Sequence, residues 1–175
     1  MFLSVRILLM VGLLFAMVPV QGQVRLASNG TGAFPIYNDK NKALVIYDRQ
    51  DPVTLQKVAQ LFADDVFRVT GYKPAIVDIS NKNMSSTAAV IVGTIASHNI
   101  RRMISKCKID TTGLTTGWEQ YRIEMVNSPL PGIKKALVVV GSDRRGAAYG
   151  LLSISRAIGV SPWYWWLDAP IKKQK

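Results

Sequence analysis

The sequence holds one cysteine, Cys107, and one histidine, His98. A single thiol excludes an internal disulfide, so whatever fold forms must be held by its core alone. Cys107 closes a helical pattern with Ile100, Met103 and Ile104 and reads as a small buried hydrophobe rather than a nucleophile. His98 has no second ligand at metal spacing and no Ser-His-Asp constellation around it, so it reads as an ordinary helix residue; no metal and no cofactor are implied. Acidic residues are scarce, 11 against 22 lysines and arginines, for a net charge of +11. Two of them, Asp64 and Asp65, are adjacent on an expected helix and point to different faces, which excludes an acid–base pair. The basic excess includes Lys134-Lys135 and Lys172-Lys173-Lys175. Such clusters attract acidic polymers or anionic surfaces, or simply keep a chain soluble. No nucleic-acid motif accompanies them, so no nucleic-acid partner is expected. Also missing are a G-x-G-x-x-G turn, a Walker loop, an internal repeat and any low-complexity segment.

What is present is apolar. Hydrophobic residues make up 49% of the 175 and charged residues 19%, which excludes a disordered chain and fits one packed domain. The chain opens with a short segment carrying Arg6, then an uncharged apolar run from Ile7 to Val20, then small or short residues at Val20-Gln21-Gly22. That is the pattern of a secretory signal peptide, residues 1–22, cleaved near Gly22. The run is shorter than the roughly 20 apolar residues of a spanning helix, so no stable membrane span is expected. The product is expected to be exported, to the periplasm or the outside of the cell. Residues 23–32 are polar, contain Asn29-Gly30 and read as a flexible start.

Residues 33–160 carry alternating strand and helix signals. Phe34 to Tyr37 is a candidate short strand, and Ala43-Leu44-Val45-Ile46 is a buried strand. Asp51-Pro52 reads as an N-cap followed by the first helical position. The helix carries Leu55, Val58, Ala59, Phe62, Val66 and Val69 on one face and is stopped by Gly71. A strand at Pro74 to Val77, a polar loop from Asn81 to Thr87, a buried strand at Ala88 to Val92 and a helix from about Ser97 to Lys106 follow. Tyr121 to Met125 alternates like a half-exposed strand, and Ala136 to Val140 reads as buried. A last helix spans about Arg144 to Ile158. Its core face is Ala147, Leu151, Ile154 and Ile158, with Ala148 and Leu152 beside it, and Gly159 is its stop. The order β-α-β-β-α-β-β-α implies an α/β fold, a mixed β-sheet with about three packed helices.

Two stretches carry candidate function. Gly141-Ser142-Asp143-Arg144-Arg145-Gly146 lies at a strand-to-helix turn, where backbone N–H groups can cradle an anion. Asp143 capping the helix, with Gly146 packed close, is the simpler reading. Gly146 and Gly150 share a helix face beside Tyr149, which places that helix close to another backbone. The second stretch, Trp163-Tyr164-Trp165-Trp166, is the densest aromatic cluster in the chain. Such a cluster stacks on sugar rings, or packs against another domain, and the residues alone do not separate the two.

Read together, Val139 to Gly150 and Ile158-Gly159-Val160-Ser161-Pro162-Trp163-Tyr164-Trp165-Trp166-Leu167-Asp168-Ala169-Pro170 resemble glycoside hydrolase family 115, the xylan α-1,2-glucuronidases. The strand end Val90-Ile91-Val92-Gly93-Thr94 also fits, and the resemblance runs from about Ala33 to Lys173. It implies an N-terminal accessory domain similar to those preceding the barrel in hexosaminidases and other α-glucuronidases. Residues 161–175 then form an aromatic linker into a catalytic barrel outside this chain. Family members remove glucuronic acid or its 4-O-methyl ether from xylan side chains by a mechanism taken as inverting, with the acid and base on the barrel. The resemblance therefore assigns no catalytic residue here. It carries over Asp143, Arg145, Gly146 and Tyr149 as structural motif positions. Trp163, Tyr164, Trp165 and Trp166 carry over as contacts to the barrel or to sugar. The implied partners are the barrel itself and, through the parent enzyme, a polysaccharide of the glucuronoxylan class. The chain alone is expected to be inactive. The competing expectation is a stand-alone binding module for acidic polysaccharide.

Overall fold

The computed structural model of the chain describes residues 33–38, 40–161, 163–167, 171 and 173. The expected signal segment and flexible start lie outside the described residues. A small antiparallel hairpin, β1 (Tyr37–Asn38) with β2 (Asn41–Lys42), leads into β3 (Leu44–Tyr47). The strand expected over Phe34 to Tyr37 is thus displaced, because Asn38 Oδ1 accepts bonds from the backbone N–H groups of Lys40 and Asn41 and closes the turn there.

Helix α1 (Val53–Thr70) follows β3, then β4 (Ile76–Asp78), β5 (Ser86–Thr94), α2 (His98–Cys107), β6 (Tyr121–Asn127), β7 (Ile133–Gly141), α3 (Arg144–Ala157) and the short α4 (Tyr164–Leu167). Five strands form one sheet in the order β4-β3-β5-β7-β6. The first four run parallel and β6 runs antiparallel to β7. This is the mixed α/β sheet with three packed helices that the pattern implies. Parallel neighbours need a covering layer on each face, and the strand sequences show it, being continuously apolar rather than alternating. Val45, Val90, Val92 and Val139 face α1 and α3. Ile46, Ala89, Ile91, Val138 and Val140 face α2.

Helix α1 buries the stripe read from the sequence, with Leu55, Ala59, Phe62 and Val66 fully enclosed. Leu55, Phe62 and Val66 each contribute roughly 1.5–3 kcal/mol by that burial. Its C-cap is Gly71 at φ 79°, a left-handed position at which a Cβ would be strained. At its other end the expectation fails. Pro52 occupies the cap position without a side-chain bond, and Asp51 does not cap. The Asp51 carboxylate turns inward to the end of β5, accepting from Thr94 N at 3.0 Å and Thr94 Oγ1 at 2.5 Å.

Two strands are longer than their apolar runs. β5 begins at Ser86, inside the expected polar loop, and β7 begins at Ile133. In both cases ladder bonds to a neighbour extend the strand past its hydrophobic stretch, with Ser86 opposite Ile133. α2 starts at a true cap, the Ser97 side chain accepting from Ile100 N. Cys107 is half-buried rather than enclosed, at the last turn of α2, and burial pushes its thiol pKa up. α3 buries Ala147, Leu151 and Ile154 as expected, but Leu152 is exposed.

Candidate functional site

The carboxyl ends of the parallel strands lie on one edge of the sheet, the edge where open α/β sheets present ligand-binding loops. A row of aspartates occupies it. Asp78 ends β4, Asp48 and Asp51 follow β3, and Asp143 follows β7. Each accepts hydrogen bonds from neighbouring strand ends, helix starts or loops. Asp48, 1% exposed, accepts from Gln50 N, from Ser97 Oγ at 2.5 Å and from Asn99 Nδ2 at 3.1 Å. Asp78 accepts from the backbone N–H and Nε of Arg49 and from both the N–H and hydroxyl of Ser80. Burial pushes the Asp78 carboxyl up, but the Ser80 and Arg49 bonds outweigh it and hold the group below the usual carboxylate range. Asp51 goes the other way, because burial outweighs its bonds to Thr94. These carboxylates tie the βα loops together. Among the described residues no cluster of three or more His, Cys, Asp and Glu side chains could hold a metal ion.

The most elaborate of these ties is at the start of α3. Asp143 Oδ1 accepts from Arg145 N at 2.8 Å and Gly146 N at 2.9 Å, so Asp143 is the N-cap and those N–H groups are not open to an anion. Its second oxygen accepts from Glu119 N at 2.7 Å and from the Ser142 hydroxyl at 3.2 Å. Burial acts against these four bonds and loses, so the Asp143 carboxyl lies below its ordinary range. Ser142 adds two bonds to the same loop: its N–H donates to Gln120 O at 2.8 Å, and its Oγ accepts from Gln120 N at 3.0 Å. Arg145 Nη1 meets Glu119 Oε1 at 2.7 Å. Gly146 lies directly under Gln120, where any Cβ would collide with the Gln120 carbonyl oxygen and carbon.

The Gly-Ser-Asp-Arg-Arg-Gly run is thus a clamp on residues 119–120. What it holds is a conformation the loop would not keep alone. Glu119 sits at φ 56°, a left-handed position costing a non-glycine residue about 1–3 kcal/mol. Beside it Trp118 is 79% exposed. Tyr149 stands one turn beyond Arg145 on the solvent side of α3 and is 48% exposed. Gly150 faces side chains rather than backbone, with the Tyr121 ring 3.0 Å from the position of a Cβ. Sequence reading missed residues 118–120 because nothing local distinguishes them. Their partners lie more than twenty positions downstream, and Trp118 is a single aromatic rather than part of a cluster.

The C-terminal aromatic stretch is separate from this clamp. α4 packs back on α1, with the Arg68 guanidinium 5.2 Å from the centre of the Tyr164 ring. Arg68 also pairs with the buried Asp65 at 3.0 Å, whose carboxyl is pushed up by burial. Its neighbour Asp64 points outward to Lys73 at 2.6 Å, as adjacent helix positions require. Trp163 is 60% exposed at the start of this turn. The backbone of Trp165 and Trp166 lies in α4, and their side chains lie outside what the structure describes.

No family model and no curated protein matches the chain. Among solved structures, it is similar to a family 115 4-O-methyl-α-glucuronidase with specificity for decorated arabinogalactans. The TM-score is 0.54 and the identity 30%, over 75% of this chain and 15% of that one. The resemblance to glycoside hydrolase family 115 read from the sequence is borne out, and the chain spans 15% of the length of that enzyme.

Proposed function

We propose that the chain is the non-catalytic leading domain of a secreted glycoside hydrolase that removes glucuronic acid or its 4-O-methyl ether from polysaccharide side chains. The likeness to the family 115 enzyme carries this reading, because it pairs 30% identity with a matching fold. The substrate class is a glucuronoxylan, as the family implies, or a decorated arabinogalactan of the kind named for the similar enzyme. A non-catalytic role is supported by the chemistry of the strand-end edge. Inverting glycoside hydrolysis needs two carboxyl groups about 6.5–9.5 Å apart with room for sugar and water between them. Here Asp48 and Asp51 are buried and spend their oxygens on donors at the end of β5, at the start of α2 and in the loop after β3. In this reading the domain packs on the catalytic barrel through its aromatic C-terminal stretch, and Tyr164 over Arg68 fixes where that stretch leaves the sheet domain.

The test is to incubate the purified chain with glucuronoxylan and with a glucuronic acid-bearing arabinogalactan and to assay released uronic acid. No release is expected, and turnover would overturn the non-catalytic part. The DNA downstream of codon 175 is expected to continue in frame into alternating strand and helix signals. A stop codon there would instead favour a stand-alone binding module for acidic polysaccharide.

A further inference from the structure

We infer that the clamped loop displays Trp118 as a stacking platform for a pyranose ring of an acidic glycan, with Arg145 and Tyr149 at its rim. Trp118 stands 79% exposed beside a loop held in one conformation, and an indole offers a flat apolar face with an N–H donor at its edge. Here the chain spends much to keep it there. Three hydrogen bonds with Ser142 and Asp143, one ion pair from Arg145 and the missing side chain of Gly146 all converge on Glu119 and Gln120. They hold Glu119 in a left-handed conformation. Such a loop loses little conformational freedom when a ligand arrives.

The surroundings select the occupant. The core of a protein–protein interface is depleted in charge. Glu119, which pairs with Arg145, follows Trp118 in the chain, Tyr149 lies one helical turn beyond Arg145, and all four side chains reach solvent to some degree. Alternating flat apolar and hydrogen-bonding groups match a sugar, which offers an apolar C–H face edged by hydroxyls. Arg145 adds a guanidinium that suits a uronate carboxylate. The choice of an acidic glycan over other flat ligands rests on the proposed function, whereas the location at Trp118 rests on the clamp.

The test is affinity electrophoresis of the full chain through gels containing glucuronoxylan or glucuronic acid-bearing arabinogalactan, with neutral xylan as control. Retardation by at least one acidic glycan is expected. Trp118→Ala should weaken it tenfold or more, Trp118→Tyr should restore most of it, and replacement of another exposed aromatic, Phe67→Ala on α1, should leave it within twofold. Trp118 is exposed enough that its replacement leaves folding intact, which circular dichroism checks. Wild-type mobility unchanged in every gel overturns the proposal, as does retention of affinity in Trp118→Ala. A wild type that sediments as a dimer and a Trp118→Ala variant that sediments as a monomer also overturns it, assigning the loop to self-association. None of these results bears on uronic acid release, so a failure here and a failure of the proposed function are separate outcomes.

Discussion

Asp143 shows how much one side chain can organise. Its carboxylate caps α3 with one oxygen and holds the Trp118–Gln120 loop with the other. Replacing it by alanine removes the cap, which costs about 0.5–2 kcal/mol, and releases the loop as well. Asp143→Ala is therefore expected to lower the urea midpoint at pH 7 with the slope unchanged. The group lies below its unfolded-state value when folded. Its contribution is complete above the ordinary carboxylate range and is lost as pH falls through the folded-state value. The gap between variant and wild type should accordingly close on acidification below the ordinary aspartate range, measured by urea titrations across that interval. A gap that stays constant to pH 2 would show that the charge plays no part. The cap was legible in the sequence, since Asp before a helix and after a glycine turn has a local reading. The bond to Glu119 was not, because a contact between residues 119 and 143 leaves no local trace.

The same division holds for whole elements. Helix α1 was legible because Leu55, Phe62, Val66 and Val69 recur at helical spacing and Gly71 ends the run. The buried strands were legible as apolar runs, yet their true lengths were not. Ser86 and Ile133 join the sheet because each finds the other. Asp51 misled for a similar reason: a residue before Pro at a helix start suits capping, but a nearby strand end offered Thr94, and the carboxylate went there. Short α4 depends on tertiary contact more than on its own four residues, since a single turn has no stability in isolation. Arg68→Ala removes the guanidinium over Tyr164 and is expected to speed hydrogen exchange at the Leu167 amide, which bonds Trp163 O. Exchange within α1 itself should stay slow. Unchanged exchange at Leu167 would mean that other contacts seat the turn.

For the molecule as a whole, the two apolar clusters share one sheet. Val90 and Ile91 are neighbours on β5 yet belong to opposite faces. Damage to either layer should therefore be felt by the entire domain. Phe62→Ala on one face and Ile100→Ala on the other are each expected to cost about 2–5 kcal/mol. Each should shift a single transition, with fluorescence and far-ultraviolet circular dichroism coinciding. Two separated transitions in either variant would show that the faces unfold independently. Among the described residues no helix is long and apolar enough to cross a membrane.

The strand order also sets a timetable. β5 is the centre of the sheet, with β3 on one side and β7 on the other. On a growing chain β3 is already made when β5 emerges, so one flank can pair at once. The other flank must wait for residues 133–141, after α2 and β6 have both been synthesised. Throughout that interval Val90, Ile91 and Val92 present an open, apolar strand edge, the kind that pairs with any neighbouring chain. A chain that meets a second copy before β7 is in place can pair edge to edge at β5, a hazard that ends once β3 and β7 enclose that strand on both sides.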